Sequence, residues 1–489
     1  MIKLISIELM KIFKHKSIYI VLSIILGFCL LNDFLYKNDY DEEGNYKYGD
    51  KINIDNYIEK LENQNKKYDL NKESDKFVYI TNKTKIDVAK IQKKYNYNDW
   101  RYIKANDYLY EDVYNINYYK YVEKNDNLLK QSIINYNKKM DNFLSNNWFY
   151  FVNIEKEKLE EELRKNDKLI ADTDNKEEKN NLEEKKTNLE NDLIIVNYRI
   201  DKNINYSNTY LNKALEDYRQ NLNSFNEYKK INSMNYDNKL EYNKIKNNLN
   251  INKYIIENKK NVNKPNTLNY QLRTIVDDYE LFIIIIILIV SSILIGEEFN
   301  KGTIKLLLIK PYKRAKILLS KYVTCIILTF FVIIFIILCQ LIIGGSLFGF
   351  DSLSMGVVSY DLVHEKLIII NIFIYMLLRI LVKLPMLIIV ITISFLLGII
   401  LNSIIGTFSI TMILYTFSEV INSMAIEYNL KFMKYFITLN WNFKDYLFGG
   451  LSTYKYLDLK NSILIFLIYV IMLLGAMFNS FNKKNIKNI

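Results

Sequence analysis

The chain changes its preferred solvent partway along its length. Residues 37–278 are dominated by Asn, Lys, Asp, Glu and Tyr, whereas residues 281–478 are dominated by Ile, Leu, Phe and Val. A single water-soluble core cannot absorb the second region, which therefore needs lipid around it. This split constrains the fold more than any local motif does.

A helix crossing the hydrocarbon core needs about 20 mostly apolar residues. The segments that qualify are 17–35, 281–296 (continued as helix through Phe299), 322–343, 384–401, 404–423 and 462–478. The first has the basic leader of a signal peptide, but no small-x-small cleavage pattern follows it, so it reads as a retained anchor. Lys3, Lys11, Lys14 and Lys16 precede that span. Lys301, Lys305, Lys310, Lys313, Arg314, Lys316 and Lys321 lie between the second and third, and Lys483, Lys484 and Lys487 follow the last. The positive-inside bias then puts both termini in the cytoplasm and residues 37–278 outside it. The formal net charge of +11 is thus explained by topology. No nucleic-acid motif accompanies it, so nucleic acid is not an expected partner.

Residues 366–383 are also apolar, but Arg379 would lie well inside a span there, at a cost of about 2.5–3.5 kcal/mol at a helix centre. A seventh crossing would also reverse the C-terminal tail. The expectation is an interfacial or re-entrant helix that turns into the fourth span near Pro385.

In the polar region Leu182, Leu189 and Val196 recur every seven residues, with Leu193 and Ile200 filling intermediate heptad positions. Leu159, Leu163 and Ile170 form a similar stripe upstream, and ADTDNKEEK separates the two. These patterns predict an antiparallel helical hairpin, a coiled-coil-like shaft whose forty-residue arms would reach about 60 Å. Trp100 and Trp148 are candidate packing anchors for a small cap or base. The expected fold is an all-α polytopic membrane protein, with six transmembrane helices and an extracytoplasmic α-helical hairpin domain. Its divisions are 1–36 (N-terminal helix and first span), 37–278 (insert) and 279–489 (remaining spans).

Cys29, Cys325 and Cys339 all fall inside apolar runs, which argues against disulfides, and His15 and His364 offer no zinc spacing. No GxxxxGK[ST] loop is present to cradle phosphates. No metal or cofactor is therefore expected on this chain, and nothing points to an enzyme. Glu419 lies inside the fifth apolar run, where it would line a translocation path or reach the outer interface.

The loop 296–321, GEEFNKGTIKLLLIKPYKRAKILLSK, carries the most specific pattern. Thr303 is an N-cap for the short apolar stretch IKLLLI, and Lys310 before Pro311 ends it. So short and apolar a helix needs a protein surface to cover it. Glu297 and Glu298 fall at the negative pole of the second span, where carboxylates cost about 0.3–1 kcal/mol each. They either pair locally, Glu297 with Lys301, or meet basic groups on a partner or Arg314 across the loop.

This loop resembles that of ABC-2 type transporter permeases, which carry an acidic pair, Gly-Thr, apolar residues, then Pro and Arg after the second span. Glu297, Glu298, Gly302, Thr303, Leu306 to Leu308, Pro311 and Arg314 fit that order. The segments IELMKIFKHKS and LNWNFKDYLFGG and the six-span layout extend the resemblance, which covers little of 37–278. It implies that Glu297, Glu298, Phe299, Gly302, Thr303, Leu307, Pro311 and Arg314 form a coupling helix region docking on a separate ABC ATPase subunit. ATP and Mg would be bound there, not on this chain. It also implies a second permease copy or a sibling permease in the plasma membrane, and export of a peptide, antibiotic or lipid-like amphipathic substrate. Resistance to antimicrobial peptides is a frequent role in that family. Composition rich in Lys, Asn, Ile and Tyr suggests a low-GC Gram-positive source. The alternative is a non-transporting envelope or secretion scaffold of the YhgE/Pip or type VII accessory kind.

Overall fold

The computed structural model describes residues 1–44, 53–231, 233–300 and 312–484. The chain divides into two compact units, Met1–Tyr40 with Met234–Asn243 and Val262–Ile489, and Asp41–Ser233 with Lys244–Asn261. In chain order α1 (Ile2–Ile12) precedes α2 (Lys16–Asp39), the first long apolar helix. The polar region follows as α3 (Ile54–Asn65), α4 (Glu73–Gln92), α5 (Trp100–Tyr121), α6 (Asp126–Leu144), α7 (Trp148–Asp172), α8 (Lys176–Asp201), α9 (Tyr210–Lys229) and α10 (Tyr236–Asn258).

The abundance of Asn, Asp and Thr in the polar region has a structural use. Asn53, Asp99, Asn125, Asn175 and Thr209 each accept backbone N–H groups at a helix start, satisfying donors that the first turn leaves free. Helices α7 and α8 form the expected hairpin about a turn at residues 173–175. Leu189 and Val196 are buried, and Leu182, Leu193, Ile200, Leu159, Leu163 and Ile170 are half-buried. The arms have 25 and 26 residues, about 38 Å each, shorter than the expected shaft. The hairpin is also only part of a helical body. Trp100, Phe143, Trp148, Phe151, Val152 and Val196 share one core, in which the Trp100 and Phe143 rings meet edge-on at 5.2 Å. Aromatic rings supply much of its buried area, beside aliphatic residues such as Val88, Leu109 and Val113.

The rest of the chain contains α11 (Leu268–Asp278) and α12 (Glu280–Ser292), which continues through a π-helical turn, Ile293–Glu297, into Glu298–Asn300. Then come α13 (Arg314–Phe348), β1 (Val357–Asp361), β2 (Lys366–Ile370), α14 (Ile372–Leu401), α15 (Ile404–Glu427) and α16 (Leu459–Lys483). Short 3₁₀ turns at Lys431–Tyr435, Ile437–Leu439 and Lys444–Gly449 join α15 to α16. Among the described residues six helices are long and apolar enough to cross a membrane: α2, α12 with its π turn, and α13 to α16. The chain is therefore a helical, multi-pass membrane protein. The spans α12 and α14 are 67% and 61% buried within the protein, against 39% or less for the other four. They form the centre, and the others turn more of their surface outward.

Among the described residues the fold is all-α but for one short hairpin, β1 and β2, paired antiparallel from Val357↔Ile370 to Asp361↔Lys366. One expectation needs correction: residues 366–383 are not a separate interfacial or re-entrant helix, since 366–370 form β2 and Ile372 begins one 30-residue helix that runs through Pro385. Asn371 caps that helix by accepting from the Phe373 N–H at 2.9 Å. Arg379 lies only about 10 Å along a helix of about 45 Å, not at its centre, and it meets the Asp277 carboxylate of α11.

Candidate functional site

At one end of the spans α1 is held by charge. Lys321, near the start of α13 and 1% exposed, donates to Glu8 Oε2 at 3.0 Å and Glu298 Oε1 at 3.3 Å. Lys11 reaches Glu298 at 2.7 Å and Glu8 at 3.6 Å, and His15 lies 3.0 Å from Glu297. Glu8 and Glu298 are 4% and 7% exposed. Burial lowers the pKa of Lys11, but the bond to Glu298 and the fields of Glu8 and Glu298 outweigh it and hold that pKa above its usual value. Glu298, at the unfavourable end of α12, is thus compensated from α1 and α13, and Glu297 faces His15 at the start of α2. Arg314 is not among these partners, and Lys301 lies outside the described residues. Sequence reading counted Lys321 among the basic residues between two spans and passed over Glu8, although a carboxylate within α1, three residues before Lys11, was a usable signal.

Arg314 instead donates to the carbonyls of Asn482 and Lys484, at 2.9 and 3.3 Å. Phe299 is buried, with the Lys484 ammonium 4.6 Å from its ring centroid. Lys484 also donates to Ile399 O and Asn402 Oδ1. Phe299 and Arg314 therefore meet at the end of α16, while Glu297 faces His15 and Glu298 faces α1. Gly302, Thr303, Leu307 and Pro311 lie outside the described residues.

A second charged cluster occupies the other end. Asp277, at the end of α11, pairs with Arg379, with Lys383 at 3.5 Å and with Lys444 at 3.1 Å. Glu280 pairs with Lys383 and accepts from the Tyr415 hydroxyl at 2.8 Å. Burial would raise the Asp277 pKa, yet the charges of Arg379, Lys444 and Lys383 bring it below the usual carboxylate value. Beside this cluster is a cavity of about 240 Å³ whose lining includes Glu280, Lys383, Tyr415, Glu419, Trp441 and Asp445. Glu419 thus borders a polar cavity, well removed along α15 from the acidic pair. Sequence reading noted Glu419 and Arg379 but not Asp277, Glu280 or Lys383, whose significance depends on helices about a hundred residues apart.

Residues 243–487 match a family described as "Protein of unknown function (DUF2705)", and the match covers half of the chain. The chain belongs to the DUF2705 family. The family match runs from within α10 to the end of α16 and so takes in five of the six spans and the second charged cluster. A curated relative is the "Uncharacterized protein YhcI" of Bacillus subtilis (strain 168), 32% identical over 102 residues, which are 20% of this chain and 31% of that protein. The alignment thus spans less than a third of the relative's length. No solved structure matches this DUF2705 chain.

Proposed function

We propose that this chain is the membrane-spanning subunit of an ABC-2 type exporter driven by a separate ATPase. The carrying observation is the segment joining α12 to α13. Its Glu298 is clamped by α1 and α13, and the basic, apolar-cored sequence 301–311 follows directly. A push on that loop would reach α1 and α13 together through Glu298 and Lys321, and reach α16 through Arg314. Since α12 is the most enclosed span, its displacement would repack the centre of the bundle. The cytoplasm is the side for the loop and both termini under this reading, the insert lies outside the cell membrane, and substrates are peptides, antibiotics or lipid-like amphiphiles. A second permease subunit would complete the path.

The test is a mild-detergent pulldown of tagged protein from its native membrane, with partners identified by mass spectrometry. A stoichiometric ABC-type ATPase is expected. Secretion or envelope components without any ATPase would replace this reading with the scaffold one. Gly302→Val should lower ATPase recovery without lowering the amount of membrane-inserted protein, because it restricts the turn into the docking segment.

A further inference from the structure

The first span carries a charge-bearing side chain that the coupling scheme does not use. Asp33, in α2, is 0% exposed. Both of its carboxyl oxygens accept from the same group, the Gln340 Nε2 amide of α13, at 2.8 and 2.9 Å. Among the described residues no Lys, Arg or His pairs with it. The Gln340 oxygen is itself engaged by the Cys29 thiol at 3.2 Å. The other titratable groups nearby are Cys29 on α2, Cys339 on α13 and Tyr279 at the junction of α11 and α12. None is a cation. From α11, Gln271 accepts from the Asn32 amide at 3.4 Å. The Tyr279 hydroxyl, on a residue 1% exposed, faces the Cys29 thiol.

This contrasts with the two clusters already described, in which every buried carboxylate faces at least one ammonium or guanidinium. An ionised carboxylate held in a low-dielectric span by one neutral amide is far costlier than its protonated form. The packing is also specific to this contact. A side chain on Gly344 would place its Cβ 2.7 Å from Gln340 Nε2 and 3.2 Å from Asp33 Oδ2, so a glycine on α13 admits the amide and the carboxyl together.

We propose that Asp33 is a proton-binding site within the membrane domain, protonated when α2 packs on α13, and that loss of this proton loosens α2 from α13. Proton binding and helix packing are then the same equilibrium. The inference concerns α2 and α13 alone and stands whether or not an ATPase binds the chain.

The test uses the full-length protein in detergent or lipid. Infrared spectroscopy of wild type at neutral pH should show a protonated-carboxyl C=O band that is missing from Asp33→Asn and weakens as the pH is raised. Maleimide labelling of Cys29, resolved by mass spectrometry, reports the opening. Alkaline pH speeds thiol labelling in both proteins, but the wild-type to D33N rate ratio should itself rise with pH. Should D33N fold poorly, wild type grown on 4-¹³C-aspartate assigns the band to an aspartic acid through its isotope shift. Absence of the band at neutral pH overturns the protonation. A band with a rate ratio that stays constant across pH overturns the coupling to packing.

Discussion

Lys321 shows how much can rest on one side chain. Its ammonium serves two carboxylates in a place where all three groups are nearly sealed from solvent. Removing one member of such a set leaves the others less compensated, here with Lys11 as the remaining cation on both carboxylates, and costs up to about 3–5 kcal/mol. Lys321→Met should therefore destabilise the membrane domain by up to that amount in detergent unfolding, and adding Glu298→Gln to it should recover part of the loss. No recovery in the double variant would mean that the two groups do not share their burial cost. Asp277 gives a pH-dependent counterpart. Its folded pKa lies below the usual value, so its contribution is present above the unfolded pKa of about 3.9 and disappears as pH falls through the folded value. Wild type should lose stability in acid more steeply than Asp277→Asn, which lacks this carboxylate. Superposed acid profiles for the two proteins would remove Asp277 from the cluster's energetics. Neither effect was legible in the sequence, because the bond from Lys321 to Glu8 joins residues 313 apart and nothing in local spacing announces it.

Elements were more readable than contacts. All six long helices contain the apolar runs from which they were expected, since hydrocarbon thickness imposes a length that any sequence window can test. The misreading at 366–383 has a clear origin. A charge inside an apolar run was weighed as if no partner existed, whereas Asp277 and Glu280 supply carboxylates from neighbouring helices. Close helix approach was equally hidden. A Cβ on Gly296 would lie 3.0 Å from the Ile404 backbone nitrogen and 3.1 Å from its Cα. Main chain cannot swing aside as a side chain can, so Gly296→Ala must push α12 away from the start of α15. Overpacking of this kind costs about 1–3 kcal/mol, expected as a lower unfolding temperature in detergent. An unchanged unfolding temperature would show that these helices part at no cost.

At the scale of the whole chain, the change of solvent preference that the sequence displays corresponds to two units with separate apolar interiors. The insert's interior mixes aromatic with aliphatic side chains, and Tyr in a polar context is hard to assign to core or surface before its neighbours are known. Trp100 makes the consequence testable. It is 1% exposed, packs on Phe143 and Phe151, and its indole N–H donates to Asn146 Oδ1 at 2.6 Å. Residues 41–261 produced without the spans should therefore be soluble, helical by circular dichroism and cooperative on heating. Trp100→Ala should cost this fragment about 3–5 kcal/mol, as large-to-small changes at a buried aromatic do. The same substitution in the full-length protein should leave unfolding of the membrane unit unchanged, since that unit draws its core from α1, α2 and α11 to α16. A fragment that melts without cooperativity, or a Trp100 variant that also destabilises the spans, would mean that the two interiors depend on each other. The insert would then be a part of the membrane machinery and not a separately folded body carried by it.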